Sequence, residues 1–547
     1  MAILLQDFVT EQAKTRPESV ALVFEEKAVT YGELEKKSNQ LAWLLRDMGC
    51  AKGDRVVLLM PKSTEAILSM IGILKAGCIY VPIDPSSPAA RIGKVLDSCQ
   101  PASILTTGSL AEVLTPIPSP DREKLTIISW LREGELSQNG IKHDVTRHDL
   151  DAYSEESPNV RVRPDEPAHI LFTSGSTGSP KGVIISHASV LHFVQWANTY
   201  FTSSSEDRNS GHSPLFFDLS TYDIYGTFAS GASLYPVRPE LNLLPHKLAE
   251  FIRDHELTKW FSVPSVLNYM AKFDVVKAND FPSLRRILWC GEAFPTPSLR
   301  YWMQKLPRVT FTNLYGPTET TIASSYYTVP VCPPHDKVEI PIGRPCPDEE
   351  LFVLDEKMCS VAPGETGDLY ICGVGLSTGY WKNPDTTAKV FLKNPLKPEA
   401  NDMIYKTGDL AKVDEEGLIY YVGRCDAQIK SRGYRIELGE IEAGLHSFEE
   451  LRESAVVAIP TGGFESHQIC CAYVAQEGKE VTPLFLRKRL STLLPPYMIP
   501  SRFREFSQLP RTANGKIDCR FLREEFAHNE TETRHRGYRG SLSADVR

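Results

Sequence analysis

Residues Thr173 to Lys181 read T-S-G-S-T-G-S-P-K, directly after the apolar run Ala168-His169-Ile170-Leu171-Phe172. The run predicts a short buried strand, so the loop sits where a strand gives way to a turn. Thr173, Ser174, Ser176 and Thr177 supply hydroxyls, Gly175 and Gly178 let backbone N–H groups turn inward, and Lys181 adds a cation. Together they form a cradle for an anion, and a polyphosphate is the expected one. A plain Gly/Ser/Thr-rich connection is the alternative. The Walker order is excluded, because Pro180-Lys181-Gly182 breaks its Gly-Lys-Ser/Thr sequence.

Working outward from the loop, strand and helix signals alternate. Helical spacing marks Tyr31 to Met48 (Leu34, Leu41, Leu44, Leu45) and Thr64 to Ala76 (Ala66, Ile67, Met70, Leu74). Between them Arg55 to Met60 is a continuous apolar strand of the kind buried on both faces, followed by Ile79 to Pro82 and a helix over Ala90 to Leu96. The pattern predicts a parallel-leaning α/β sheet covered by helices. The polar stretch from about Pro116 to Pro167 reads as a surface excursion. After about residue 330 short strands and frequent Pro and Gly mark a β subdomain, with its strands in Ile340 to Gly423.

A boundary is expected at Gly423-Arg424-Cys425-Asp426. Beyond it, helices over Glu437 to Leu445 and Val481 to Leu494 alternate with strands at Ala455 to Val457-Ala458 and Cys471 to Val474, which gives a compact α+β domain. The expected fold is therefore α/β, with a large N-terminal domain (1–424) carrying a small β-barrel subdomain (about 330–424). A small mobile α+β domain (425–526) and a polar tail (527–547) expected to be disordered complete it.

The 547 residues exceed one core, and 42% hydrophobic with 24% charged residues is ordinary for a soluble protein. Net charge −9 argues against nucleic acid as the main partner. Twelve cysteines include no CxxC pair, and Cys470-Cys471 lies in an apolar run, so reduced buried thiols are expected rather than a zinc site. No signal peptide and no run of roughly 20 apolar residues is visible, which predicts a cytoplasmic protein off the membrane.

Further motifs follow in order. They are Asn313-Leu314-Tyr315-Gly316-Pro317-Thr318-Glu319-Thr320, Gly364 to Leu369, Tyr405-Lys406-Thr407-Gly408-Asp409-Leu410, Gly423 to Asp426 with Lys430 to Glu442, Leu494 to Pro500, and Asn514-Gly515-Lys516-Ile517-Asp518. Alone, a T-G-D is usually a capped turn and an N-G-K a hairpin turn. Together, from about Val29 to Asp518, the chain resembles the adenylate-forming enzymes, specifically amino-acid adenylation domains of nonribosomal peptide synthetases. The resemblance implies ATP and Mg²⁺. The Thr173–Lys181 loop would close over the β- and γ-phosphates, Tyr315 would stack on adenine with Asn313 near its amine, and Thr318 would meet the α-phosphate. Glu319 would hold Mg²⁺, Asp409 would accept from the ribose hydroxyls beside Arg424, Asp426 would be the hinge, and Lys516 would be the catalytic cation.

The same resemblance sets Asp218, in Phe217-Asp218-Leu219-Ser220, against a substrate α-ammonium; the alternative is a helix N-cap. The remaining lining would be Leu219, Tyr222, Ser262, Leu288, Cys290, Leu314, Ile322 and Ala323. It holds no second charge, which fits a small-to-medium neutral amino acid, proline- or cysteine-like. The implied product is an aminoacyl-AMP, passed to the phosphopantetheine thiol of a separate carrier protein. No carrier segment follows Asp518 and no condensation domain precedes Met1, so a free-standing ligase is expected, with a fragment excised from a larger synthetase as the alternative. An acyl- or aryl-CoA ligase, which lacks the aspartate, and a non-catalytic scaffold are the rivals.

Overall fold

The computed structural model describes residues 3–107, 110, 112–114, 126–130, 143–146, 148–175, 178–400, 402–461, 466–512 and 515–528. The chain divides into two compact units: Met1–Pro85 with Ile92–Thr173 and Lys181–Asp426, and Ser86–Arg91 with Ser174–Pro180 and Ala427–Arg547.

In the first unit a seven-stranded sheet runs His143–Val145, Thr126–Trp130, Ser103–Thr107, Arg55–Leu59, Ile79–Pro82, Pro167–Thr173, Lys181–Ser186. Its pairings are parallel except the last, where Thr173 faces Lys181 across an antiparallel hairpin. Its helices begin where the sequence provides caps. Thr30 and Glu33 form a reciprocal capping box for Tyr31–Asp47, and the Ser63 hydroxyl accepts from Ala66 N–H ahead of Thr64–Lys75. Leu34, Leu41, Leu44 and Leu45 are buried together, as their spacing requires.

Part of the stretch expected as a surface excursion is instead sheet. Thr126–Trp130 and His143–Val145 add parallel strands, with Ile128 and Trp130 buried and the Trp130 indole donating to Ser69 Oγ at 3.1 Å. These strands are only a few residues long and lie among polar neighbours. The Ile127-Ile128-Ser129-Trp130 run does carry a strand signal, outweighed by the polar stretches around it, and pairing with Ser103–Thr107 decides its conformation.

A nine-stranded sheet runs Arg344–Pro345, Ser325–Thr328, Thr310–Tyr315, Arg286–Cys290, Lys259–Ser262, Arg208–Gly211, Ser233–Pro236, Val20–Phe24, Lys27–Thr30. The β-rich region beyond residue 330 holds a five-stranded antiparallel sheet: Glu349–Leu354, Thr366–Gly373, Met403–Val413 and Phe391–Lys393, with Ile419–Arg424 also on Met403–Val413. Leu369, Ile371 and Ala411 fill its core.

The second unit has a hairpin, Gln428–Ser431 with Tyr434–Glu437, and a three-stranded sheet. In that sheet Leu451–Pro460 is antiparallel and Arg502–Glu505 parallel to His467–Ala475. Adjacent Cys470 and Cys471 point to opposite faces of the central strand and enter separate cores: Cys471 joins Ile441, Leu445, Leu486 and Leu490, and Cys470 joins Leu509, Leu522 and Phe526. Two-sided burial explains the unbroken apolar run. The expected helix Val481 to Leu494 is shorter, Pro483–Leu490, starting where Thr482 caps Phe485 N–H. The tail from residue 529 lies outside the described residues.

Candidate active site

The polar side of the site is built on the C-terminal end of Thr310–Tyr315 and on Met403–Val413. Tyr315 is buried, and its hydroxyl donates to Asp409 Oδ2 at 2.5 Å. Asp409 Oδ1 receives Arg424 Nη1 at 2.5 Å, because Asp409 and Arg424 are register partners on neighbouring strands. The same guanidinium reaches Asp426 with Nε at 2.7 Å and Nη2 at 2.6 Å. Burial, followed by the Asp409 charge, pushes the Tyr315 phenol far above its usual range, so it serves as a hydrogen-bond donor. Each Asp409 oxygen keeps a second lone pair for another donor. Asn313, two residues earlier on the same strand, gives its amide N–H to the Pro341 carbonyl at 2.9 Å.

Thr318 and Glu319 lie on the tight turn that follows. Glu319 is fully buried, and its Oε1 accepts the Tyr380 hydroxyl at 2.7 Å. Lys181 Nζ lies 5.4 Å from the Tyr380 ring centroid, which joins the end of the glycine-rich loop to Glu319 through one aromatic ring. Tyr380 carried no recognisable motif and was missed from sequence. Beyond Glu319 the chain takes left-handed backbone at two β-branched residues in succession, Thr321 (φ 59°) and Ile322 (φ 70°). Such conformations cost free energy and mark functional sites. Thr321 Oγ1 is held on the Gly375 carbonyl at 2.7 Å.

The loop itself divides. Thr173 and Lys181 belong to the first unit, and Thr173 Oγ1 is buried without a hydrogen-bond partner among the described residues. A buried orphan hydroxyl beside a lysine fits an anion that brings its own acceptors. Ser174 belongs to the second unit, where its Oγ donates to the Arg435 carbonyl at 2.7 Å. Gly175 and Gly178 close a turn through Gly178 N–H to Gly175 O at 3.0 Å. Ser176 and Thr177 lie outside the described residues. Lys516 is exposed in the second unit, on a turn in which Thr512 N–H reaches the Lys516 carbonyl at 2.7 Å.

The apolar side of the site lies on one face of the nine-stranded sheet. Phe261, Leu288 and Thr312 are paired in register, as are Cys290 and Leu314, so Leu288, Cys290 and Leu314 share that face. Cys290 Sγ lies 3.8 Å from the Ile322 carbonyl, and Ile322 and Ala323 are buried. Tyr222 packs onto the same face through Phe261, ring centroids 6.0 Å apart. Asp218 and Leu219 precede it on the same helical segment. The N-cap alternative for Asp218 is not realised, since its side chain makes no capping hydrogen bond. Ser262 differs from its partners: it pairs with Trp289 and receives the Trp260 indole N–H at 2.9 Å, which sets it on the opposite face from Leu288 and Cys290. Strand alternation forbids neighbouring residues from both lining one face, and Phe261 occupies the place there. Buried Lys259 and Asp223, which are not among the expected lining, border a small chamber together with Tyr222.

Residues 9–381 match the family described as AMP-binding enzyme, and residues 440–516 match the AMP-binding enzyme C-terminal domain. The chain belongs to the AMP-binding enzyme family. This adenylate-forming enzyme is 36% identical over 522 residues to a dimodular nonribosomal peptide synthase of Bacillus subtilis (strain 168), covering 95% of this chain and 21% of that one. It is likewise 36% identical to bacitracin synthase 1 of Bacillus licheniformis, covering 99% of this chain and 10% of that one. The chain thus spans about a fifth or less of these curated relatives. Among solved structures it resembles the Vibrio cholerae adenylation domain AlmE in complex with glycyl-adenosine-5'-phosphate (25% identical, 96% and 98% covered, TM-score 0.82). It also resembles NpsA-ThdA, an artificially fused adenylation–PCP didomain from Klebsiella oxytoca (25% identical, 92% and 93% covered, TM-score 0.76). Among the described residues no helix is long and apolar enough to cross a membrane.

Proposed function

We propose that this adenylation enzyme joins a small-to-medium neutral amino acid to AMP and then loads it onto the phosphopantetheine thiol of a carrier protein. The observation that carries the reading is the place of Asp218, at the head of the helical turn that leads into Tyr222, beside a wall of Leu219, Tyr222, Leu288, Cys290, Leu314, Ile322 and Ala323. A carboxylate at the edge of an apolar wall suits an α-ammonium whose side chain enters the wall.

In the first step a carboxylate oxygen of the amino acid attacks the α-phosphorus of ATP. The bond from that phosphorus to the bridging oxygen breaks, and pyrophosphate leaves with the electron pair. Positioning and charge neutralisation supply the catalysis. Asp409 and Arg424 hold the ribose side, Tyr315 and Asn313 the adenine side, and Thr318 the α-phosphate. Thr173, Lys181 and the intervening loop take the outer phosphates. Glu319, a buried hard-oxygen donor, fits Mg²⁺, which when bound neutralises phosphate charge. Lys516 is assigned the cation that offsets charge building at the reacting phosphate, and Asp426 the hinge. In the second step the thiolate attacks the acyl carbon and AMP departs.

Pyrophosphate exchange against twenty amino acids and simple carboxylic acids tests this. Exchange with one or a few neutral amino acids is expected, and Lys516→Ala is expected to lose it by at least about 100-fold while retaining ATP binding. Exchange with benzoate or fatty acids alone would convert the reading to an acyl- or aryl-CoA ligase. No exchange with anything would leave a scaffold.

A further inference from the structure

Beside Tyr222, on the sheet face that Lys259 and Phe261 share with Leu288, lies a small chamber of about 10 Å³, room for roughly one water. It is lined by Tyr222, Asp223, Lys259, Asn209, Thr227 and Phe261, among others. Tyr222 opens a π-helical turn, Tyr222–Gly226, of a kind that often marks functional sites. The ring fits against the turn only because residue 226 is glycine: a Cβ there would lie 2.5 Å from Tyr222 Cε2. Its hydroxyl donates to Asn198 Oδ1 at 3.3 Å and receives Lys259 Nζ at 3.5 Å.

Lys259 is buried, with its ammonium on Ser203 Oγ at 2.7 Å and 5.6 Å from the Tyr222 ring centroid. An ammonium has three donors, and these contacts use two of them. Asn209, also buried, spends its amide N–H on Thr227 Oγ1 at 3.0 Å. Thr227 in turn donates to the Asp223 carbonyl, which fixes the orientation of the amide. Asn209 Oδ1 is then left buried with no hydrogen-bond partner among the described residues. A donor and an unfilled acceptor thus face one chamber. Burial, against the pull of Lys62, pushes the Asp223 carboxyl up to about 8, and its Oδ2 accepts Ser213 N–H at 3.2 Å.

We infer that Lys259 is a positioning residue that fixes where the substrate pocket ends, by holding Tyr222 as a floor over a latent carboxamide site. With the floor in place the chamber admits no side chain, and the pocket takes short neutral ones. With the floor removed, a glutamine-like side chain enters: its carbonyl oxygen accepts from Lys259 Nζ and its NH₂ donates to Asn209 Oδ1. The inference rests on the proposed function, since it takes Tyr222 to line the amino-acid pocket.

The test is amino-acid-dependent pyrophosphate exchange by the full chain and its variants. Lys259→Met is expected to raise KM for the preferred amino acid at least tenfold with KM for ATP unchanged. Tyr222→Ala is expected to gain exchange with glutamine at least tenfold over both leucine and glutamate, and Tyr222→Ala/Lys259→Met to lose that gain. Equal gains for glutamine and leucine, a preference for glutamate, or a glutamine gain surviving the double substitution would overturn the inference. Should the Lys259→Met variants not fold, the glutamine-to-leucine ratio of Tyr222→Ala decides alone, a ratio near one overturning it. Failure of the unmodified chain to exchange with any amino acid would instead overturn the proposed function, and the inference with it.

Discussion

Single residues here are chosen against their own stability. Glu349 is buried, and burial, against the Gly375 N–H that its Oε1 accepts at 2.7 Å, pushes its carboxyl up to about 8. Its Oε2 is buried without a hydrogen-bond partner among the described residues. A carboxyl whose folded value is raised binds its proton more tightly in the fold than in the open chain. Its stabilising share is therefore lost as pH climbs from about 4.5 towards 8. Glu349→Gln keeps an acceptor for Gly375 and removes that loss. We expect a gain on the order of 1–3 kcal/mol at pH 7, shrinking towards pH 5, read from thermal melts at both values. Residue-scale chemistry was legible where a motif carried it. Tyr315, Asp409 and Arg424 fall into one bonded group, with Glu319 buried one turn on. Tyr380, Lys259 and Glu349 were illegible because isolated side chains reveal their roles only through partners distant in sequence, such as Glu319 for Tyr380.

At the scale of elements, the long helices and buried strands of the first hundred residues were readable from apolar spacing. Tyr31–Asp47, Thr64–Lys75 and Arg55–Leu59 lie within a residue or so of expectation. Ser262 shows the limit: in a four-residue strand, facing follows from register with Arg286–Cys290, and register is a tertiary property. The antiparallel edge of the nine-stranded sheet shows another demand. Gly343, at φ +94°, leads into Arg344–Pro345, and a Cβ there would lie 1.9 Å from the Tyr326 carbonyl oxygen. Both the conformation and the space exclude a side chain. Gly343→Ala is expected to destabilise the first unit by more than about 2 kcal/mol. A denaturant midpoint unchanged by this substitution would show that the strand can shift to accept it.

For the whole molecule, the feature that composition did not announce is the number of neutral imidazoles sealed inside. Burial pushes His169 down to about 3 and His187 down to about 4. His212 is likewise pushed by burial, then by the Lys62 charge, down to about 3. Each has a folded value below that of the open chain, so its stabilising share is full above roughly pH 6.5 and is lost as acid protonates the unfolded form. Between pH 7 and about 5.5 the loss is on the order of 1 kcal/mol per histidine. The melting temperature is expected to fall over that interval, and His169→Gln is expected to flatten the slope. A melt indifferent to this range would mean the imidazoles gain protons in place.

The nine-stranded sheet ends on one side at Lys27–Thr30, entered through Glu25 and Glu26, and on the other at the two-residue Arg344–Pro345. Short ladders with charge at one border and an imino acid at the other give a passing polypeptide little to zip against. So large a sheet therefore offers foreign strands little edge to join, a restraint on self-association set at its rims.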